Sequence, residues 1–99
     1  GTGMSMKRIE DIVYSEMENT ISSNGYILET VFSNALHMKY GYSRSAIMLA
    51  MRRLYGRMAL IKRRLSNDLK RVYKIDQSGC PIVYVPENDF DINETKSMN

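Results

Sequence analysis

The clearest hydrophobic pattern in the chain lies between residues 43 and 58, where apolar residues recur at intervals of three and four. This spacing places them on one face of an α-helix. Ser43 stands before the pattern, and its hydroxyl is suited to accept a hydrogen bond from a free amide in the first turn. Gly41 allows a tight turn just ahead of it. We therefore predict a turn followed by a capped helix ending near residue 57 or 58. The predicted apolar face consists of Ile47, Ala50, Met51, Leu54 and Met58.

Two shorter patterns precede this helix. Apolar residues at helical spacing predict a first helix over residues 6–22, which Asn24 and Gly25 end because both tolerate a left-handed backbone. Residues 26–29 are too few for a helix between breakers and predict a single short strand. Thr30 is predicted to cap a second helix that runs to about residue 39. We expect its inward face to consist of Val31, Ala35, Leu36 and Met38.

Two interpretations of residues 59–85 stay open. In the one we favour, residues 60–75 form an edge hairpin that turns at residues 66–68, because residues 69–75 alternate in the manner of a strand. A later strand at 81–85 then joins the same small sheet. In the other, Ser66 caps a short helix, and residues 71–75 pair with residues 81–85 across a turn at 76–79.

The length of 99 residues predicts one domain, which we place at residues 6–86. Residues 87–99 are polar and acidic and are expected to form a mobile tail, while residues 1–3 are expected to be a tag remnant. No apolar run approaches the roughly 20 residues of a membrane span, and we expect no secretory leader and no membrane partner. The single cysteine cannot form an intrachain disulfide. We therefore expect a cytoplasmic protein.

Charge is segregated along the chain. Residues 39–74 contain eleven basic residues and Asp68 as their one acidic residue, whereas both flanking segments are acidic. A concentrated positive block is typical of proteins that bind a polyanion such as DNA, so we expect the protein to associate with the nucleoid. The sequence has no paired carboxylates at catalytic spacing, no glycine-rich phosphate loop and no metal-ligand spacing. We accordingly expect no enzyme activity, no metal site and no cofactor.

Residues 36–47 and 50–54 carry a resemblance to a known family. They read Leu-His-Met-Lys-Tyr-Gly-Tyr-Ser-Arg-Ser-Ala-Ile and Ala-Met-Arg-Arg-Leu, and they are similar to the Leu-Ala-x-x-Tyr-Gly-Val-Ser-Arg-Ser-Thr-Val and Ala-Leu-Arg-Arg-Leu patterns of GntR-type and PadR-type regulators. Residues 60–73 resemble the PadR wing, with Ala59 where the family has glycine. The resemblance covers about residues 26–75. It implies an α+β winged helix-turn-helix fold with three main helices and a small antiparallel β-hairpin wing.

The same resemblance implies two sets of DNA-contacting residues. Four residues on the polar side of the third helix would read base edges in the major groove; they are Arg44, Ser45, Met48 and Arg52. For Met48, a position at the margin of the core is an equal alternative, as it is for Tyr42. Residues near the backbone phosphates would be Lys39, Tyr42, Ser43, Arg53, Arg57, Lys62, Arg63, Arg64, Lys70 and Arg71.

These expectations favour a dimeric, sequence-specific transcriptional regulator, most simply a repressor, with double-stranded DNA as its partner. The alternative is a DNA-organising protein that binds a site, spreads and recruits a protein partner, as small archaeal plasmid partition proteins that bind centromeres do. The apolar face of the first helix is the candidate homodimer interface, and packing within its own domain is the competing interpretation. The interface candidates are Ile9, Ile12, Val13 and Met17.

Overall fold

The computed structural model describes residues 2–76, 78–79 and 81–88, with residues 2–7 as backbone only. Over these residues the chain is an α+β fold with four α-helices and a three-stranded antiparallel sheet in the order β1-β3-β2. The predicted tail falls almost wholly on residues 89–99, outside the described residues. The elements are α1 (Thr2–Asn24), β1 (Ile27–Leu28), α2 (Glu29–Tyr40), α3 (Arg44–Leu54), a 3-10 turn (Tyr55–Met58), β2 (Leu60–Arg64), α4 (Asn67–Tyr73) and β3 (Ile82–Pro86).

The first predicted helix and the short strand after it are confirmed. α1 also takes in residues 2 and 3, which the sequence suggested were a tag remnant. It ends at Asn24, and the next residue, Gly25, has a left-handed backbone (φ 85°) and an amide that donates to the Ile21 carbonyl at 2.9 Å. A residue with a side chain is disfavoured in this conformation, so the glycine allows the chain to leave the helix and enter β1.

The apolar face of α1 packs inside the chain, where α1 contacts α3. Ile9, Val13 and Met17 are 3%, 0% and 0% exposed and belong to the main core cluster. Side chains in this position are not accessible to a partner chain, so the interpretation of these three residues as a dimer interface is wrong. Only Ile12, among the four candidates, keeps part of its surface exposed.

α2 begins at Glu29, one residue before the predicted Thr30 cap, and Leu28 occupies the N-cap position without a side-chain hydrogen bond. The prediction of its inward face was correct for Leu36 alone. Val31 and Met38 are 50% and 77% exposed, and Ala35 is exposed too. Apolar residues occur around most of this helix, so periodicity did not select the buried face. Packing selected it, and the buried residues are Glu29, Phe32, Ser33 and Leu36.

The prediction for α3 is confirmed in its cap and in its buried face. The Ser43 hydroxyl accepts a hydrogen bond from the Ala46 amide at 3.1 Å, and Gly41, with φ 83°, ends α2 just before it. The helix ends at Leu54, and the 3-10 turn carries the chain on to Ala59, which is left-handed with φ 55°. The buried residues of α3 are Ile47, Ala50, Met51 and Leu54, with Met58 packed against the same cluster.

Neither interpretation of residues 59–85 is wholly correct. β2 pairs with β3, with Ile61 opposite Val85 and Arg64 opposite Ile82. Ser66 does cap a short helix, because its hydroxyl accepts from the Leu69 amide at 3.3 Å. The favoured hairpin over 60–75 is therefore wrong, and so is the alternative pairing of 71–75 with 81–85.

Both faces of the sheet are covered, and successive side chains of β3 point to opposite faces, so the strand contributes to two apolar clusters. Tyr84 is fully buried in the helical core formed by α1, α2 and α3. Val83 and Val85 are buried with Leu65 in a second cluster, and Leu69 and Tyr73 of α4 pack against it. The sheet thus joins the helical core to α4, which explains why an almost continuously apolar strand lies at its centre.

Candidate nucleic-acid interface

The four predicted base-reading residues lie on the side of α3 that faces away from the core. Arg44, Ser45 and Arg52 are exposed, and Met48 is half-buried. This follows from the helical period. Met48 and Arg52 fall between members of the buried stripe, and Arg44 and Ser45 lie about one turn before Met48 on the same side of the helix. Met48 and Arg44 also line an open cleft of about 460 Å³ between α2 and α3. The geometry therefore gives this helix a basic, partly apolar outer face.

Arg44 is held by a residue that the sequence did not single out. Its Nε and Nη2 atoms donate to Oδ1 of Asn34 at 3.1 and 2.8 Å. Asn34 lies in α2 and is exposed. An exposed asparagine in the middle of a helix carries no signal in a sequence, and it meets Arg44 because the turn at residues 41–43 sets α2 against α3.

Arg52 has a different environment from the one expected of a base-reading arginine. Its Nη2 lies 3.5 Å from Oε1 of Glu29, a carboxylate whose residue is only 4% exposed. The other oxygen of Glu29 accepts a hydrogen bond of 2.5 Å from the hydroxyl of buried Tyr84. Burial, followed by this hydrogen bond, raises the pKa of Tyr84 well above its usual range. Arg52 thus has a buried carboxylate as its partner within the chain, and its role as a base-reading residue stays a prediction.

Two predicted phosphate-contacting residues also pair with acids of α1. Arg53 Nη1 lies 3.8 Å from Glu10 Oε2. Lys39 Nζ donates to Glu16 at 2.9 Å, and the Tyr40 hydroxyl donates to the same oxygen at 2.5 Å. The hydrogen bonds from Tyr40 and Lys39 lower the pKa of Glu16, and the bond to Glu16 raises the pKa of Lys39.

The basic residues of β2 form a run at the edge of the sheet. Lys62, Arg63 and Arg64 are all exposed although they alternate in direction, and β2 is an edge strand with one neighbour. Lys70 and Arg71, predicted to lie in a wing strand, instead belong to α4, where Arg71 pairs with Asp68.

The turn before α3 is stabilised by side chains that the sequence placed near phosphates. Tyr42 is half-buried against the helical core, and its ring stacks on Tyr40 with centroids 6.1 Å apart. The Tyr42 carbonyl lies 2.7 Å from Nδ1 of His37. Ser43 uses its acceptor for the helix cap and remains exposed, as does Arg57 in the 3-10 turn after α3. The position of Tyr42 favours its structural alternative.

Comparison with known proteins adds no relative: no family model, curated protein or solved structure matches this chain. Among the helices of the described residues, none has the length and apolar character needed to cross a membrane.

Proposed function

We propose that this protein binds double-stranded DNA as a winged helix-turn-helix domain. α3 would enter the major groove, and the segment from β2 through α4 to β3 would be the wing. The element order and the sheet order β1-β3-β2 are compatible with this fold. The observation that carries the proposal is the Ser43-capped helix whose outer face presents Arg44, Ser45 and Met48, opposite a fully buried inner face.

Ion pairing narrows the set of basic residues on which the proposal depends. Arg52, Arg53 and Lys39 have carboxylate partners within the chain. Their positive charge is therefore partly compensated before any DNA arrives. The proposal depends instead on Arg44 of α3, whose partner is a neutral amide, and on Lys62 and Arg64 of β2.

These residues have distinct roles in the proposed complex. The Arg44 guanidinium is suited to donate two hydrogen bonds to O6 and N7 of a guanine, Ser45 to bond a base or a phosphate, and Met48 to contact a thymine methyl group. Lys62 and Arg64 on the edge strand would contact phosphates, which supply affinity and salt dependence without reading sequence.

Binding measurements on two duplexes test this division of roles. One duplex is selected from a random pool by the wild-type protein, and the other is an unselected duplex of the same length. Arg44→Ala should lower affinity for the selected duplex by about 1–3 kcal/mol more than for the unselected one. Arg64→Ala should weaken binding to both duplexes equally. It should also reduce the slope of log affinity against log salt concentration by about one in magnitude. Arg8→Ala, an exposed arginine of α1 outside the basic block, is the matched control.

An equal loss on both duplexes for Arg44→Ala would contradict the assignment of α3 as the reading helix. If no duplex is enriched by the wild-type protein, the proposal of sequence-specific binding fails as a whole.

For the biological role, we propose occupancy of a promoter by a repressor, and a homodimer is the form that palindromic half-sites would require. The dimer would need surfaces other than the buried face of α1. A footprint measured at several protein concentrations tests this role. A footprint of constant length supports it, whereas one that lengthens with concentration favours a protein that binds a site and spreads. Sedimentation velocity measures the dimer directly.

A further inference from the structure

We propose that Asn34 is a positioning residue for sequence recognition: it fixes the orientation of the Arg44 guanidinium and so decides which edge of that group meets a base. This inference rests on the proposed function, because it concerns how Arg44 reads DNA. It assigns a specificity role to a residue of α2 that lies outside the reading helix.

The geometry of the pair supports this role. Oδ1 of Asn34 accepts from both Nε and Nη2 of Arg44, at 3.1 and 2.8 Å. Two bonds from the same edge of a planar group to one atom restrict both its position and its plane. An arginine has only donors, so the amide oxygen, and not the amide nitrogen, must face it.

The orientation limits how Arg44 can bind a guanine. A guanidinium has five N–H donors and can present a pair of them either from its Nε–Nη2 edge or from its Nη1–Nη2 end. Asn34 occupies the Nε–Nη2 edge. The end formed by Nη1 and Nη2 therefore retains the pair of donors suited to O6 and N7 of a guanine.

The neutral character of Asn34 matters as much as its geometry. Arg52 and Arg53, also in α3, have carboxylate partners, Glu29 and Glu10. An amide holds a guanidinium without cancelling its charge, so Arg44 keeps its full attraction for DNA. Asn34 thus orders Arg44 while leaving it cationic, which a glutamate or an aspartate at the same position would not do.

The expected effect of removing Asn34 can be estimated from the entropic cost of immobilising the Arg44 side chain on binding. Immobilising one side chain with many rotamers on binding weakens a complex by roughly 2- to 10-fold. If Asn34 has already ordered Arg44, Asn34→Ala should lower the ratio of affinities for the selected and unselected duplexes by roughly that factor. Affinity for the unselected duplex, which depends on charge, should change by less than about 2-fold.

A double-mutant cycle separates positioning from general structure. The affinity ratio is measured for wild type, Asn34→Ala, Arg44→Ala and the double variant, by fluorescence anisotropy on labelled forms of the two duplexes. In the Arg44→Ala background, Asn34→Ala should have no further effect on the ratio, since the group it positions is gone. Asn19→Ala, which removes an exposed asparagine from α1, is the matched control and should leave the ratio unchanged.

A second variant tests the argument about charge. Asn34→Asp keeps an oxygen acceptor for Arg44 but adds a negative charge, so it should weaken binding to both duplexes while preserving their ratio. Circular dichroism and thermal unfolding verify that each variant is folded.

Three results would overturn the inference. They are an unchanged ratio for Asn34→Ala, an equal fall in the ratio with and without Arg44, and a ratio that collapses in Asn34→Asp. If Arg44→Ala lowers the ratio and Asn34→Ala does not, only the role of Asn34 fails. If the wild-type protein selects no duplex, the proposed function fails together with it.

Discussion

Removing the hydroxyl of Tyr84 should destabilise the fold far more than removing that of its neighbour Tyr55. Tyr84→Phe keeps the aromatic ring, which is fully buried and lies 5.3 Å from the Tyr55 ring between centroids. It removes the donor of the 2.5 Å hydrogen bond to Glu29. The substitution therefore changes one polar contact and leaves the packing volume of the core almost unchanged.

The burial of Glu29 determines the magnitude. A hydrogen bond to a charged group contributes about 1.5–3 kcal/mol, and an acceptor left without its donor in the interior keeps its desolvation penalty. Glu29 is 4% exposed, so water does not readily replace the lost hydroxyl. We expect the free energy of unfolding to fall by about 1.5–3 kcal/mol. For a chain of this size, that corresponds to a fall in Tm of roughly 6 to 24 °C.

Urea denaturation followed by circular dichroism measures this change, with an unchanged m-value as evidence that the unfolding reaction is the same. Tyr55→Phe is the matched control, because the Tyr55 hydroxyl has no hydrogen-bond partner among the residues that the structure describes. It should change the free energy of unfolding by less than about 0.5 kcal/mol. Equal effects of the two substitutions, or a loss below about 0.5 kcal/mol for Tyr84→Phe, would refute the reasoning.

Three further outcomes are expected from the same kind of measurement. Alkaline pH should narrow the stability difference between wild type and Tyr84→Phe. Because the pKa of Tyr84 is raised in the folded state, the stabilisation by its hydroxyl is intact below about pH 10 and is lost as the pH rises above 10, where tyrosine in the unfolded chain ionises. A constant difference from pH 8 to 11 would contradict this. Ala59→Gly should raise the free energy of unfolding, measured by urea titration, by up to about 1 kcal/mol. The strain of a left-handed alanine, which glycine removes, exceeds the entropic cost of the more flexible unfolded chain. Destabilisation would indicate that Ala59 is unstrained. Ser43→Ala should lower the free energy of unfolding by about 0.5–2 kcal/mol through loss of the α3 cap. Ser45→Ala, which changes an exposed serine two residues later, serves as the control.

Residues 66–75 show why a local pattern is insufficient to predict the structure of this segment. Leu69 and Tyr73 are four residues apart, a spacing that places them on one face of a helix and also on one face of a strand. The strand interpretation used the intervening residues as evidence of alternation. In the structure, Leu69 and Tyr73 pack as one helical face against Leu65, Val83 and Val85. The deciding contacts come from a strand that begins nine residues after α4 ends.

The candidate interface likewise has features that the sequence predicts and features that it does not. The outer face of α3 and the basic run on β2 follow from helical period and composition, and the sequence predicted both. The hydrogen-bond partner of Arg44 and the ion-pair partner of Arg52 could not be predicted from the sequence. Asn34 is 10 residues from Arg44, and the Tyr84 hydroxyl that shares Glu29 with Arg52 is 55 residues from that carboxylate. Side chains so far apart meet only after the helices and the sheet have packed.

By itself, the sequence determined the elements whose signals are local. The cap at Ser43, the breaker at Gly25 and the apolar stripe of α3 depend on neighbours within about one or two helical turns, where hydrogen bonding and period act directly. Tertiary structure decided which face of α2 is buried, which strand pairs with β3 and which arginines of α3 are compensated by carboxylates. Each of these depends on competition among distant groups for the same buried space or the same charge, and such competition is resolved only when the whole chain has folded.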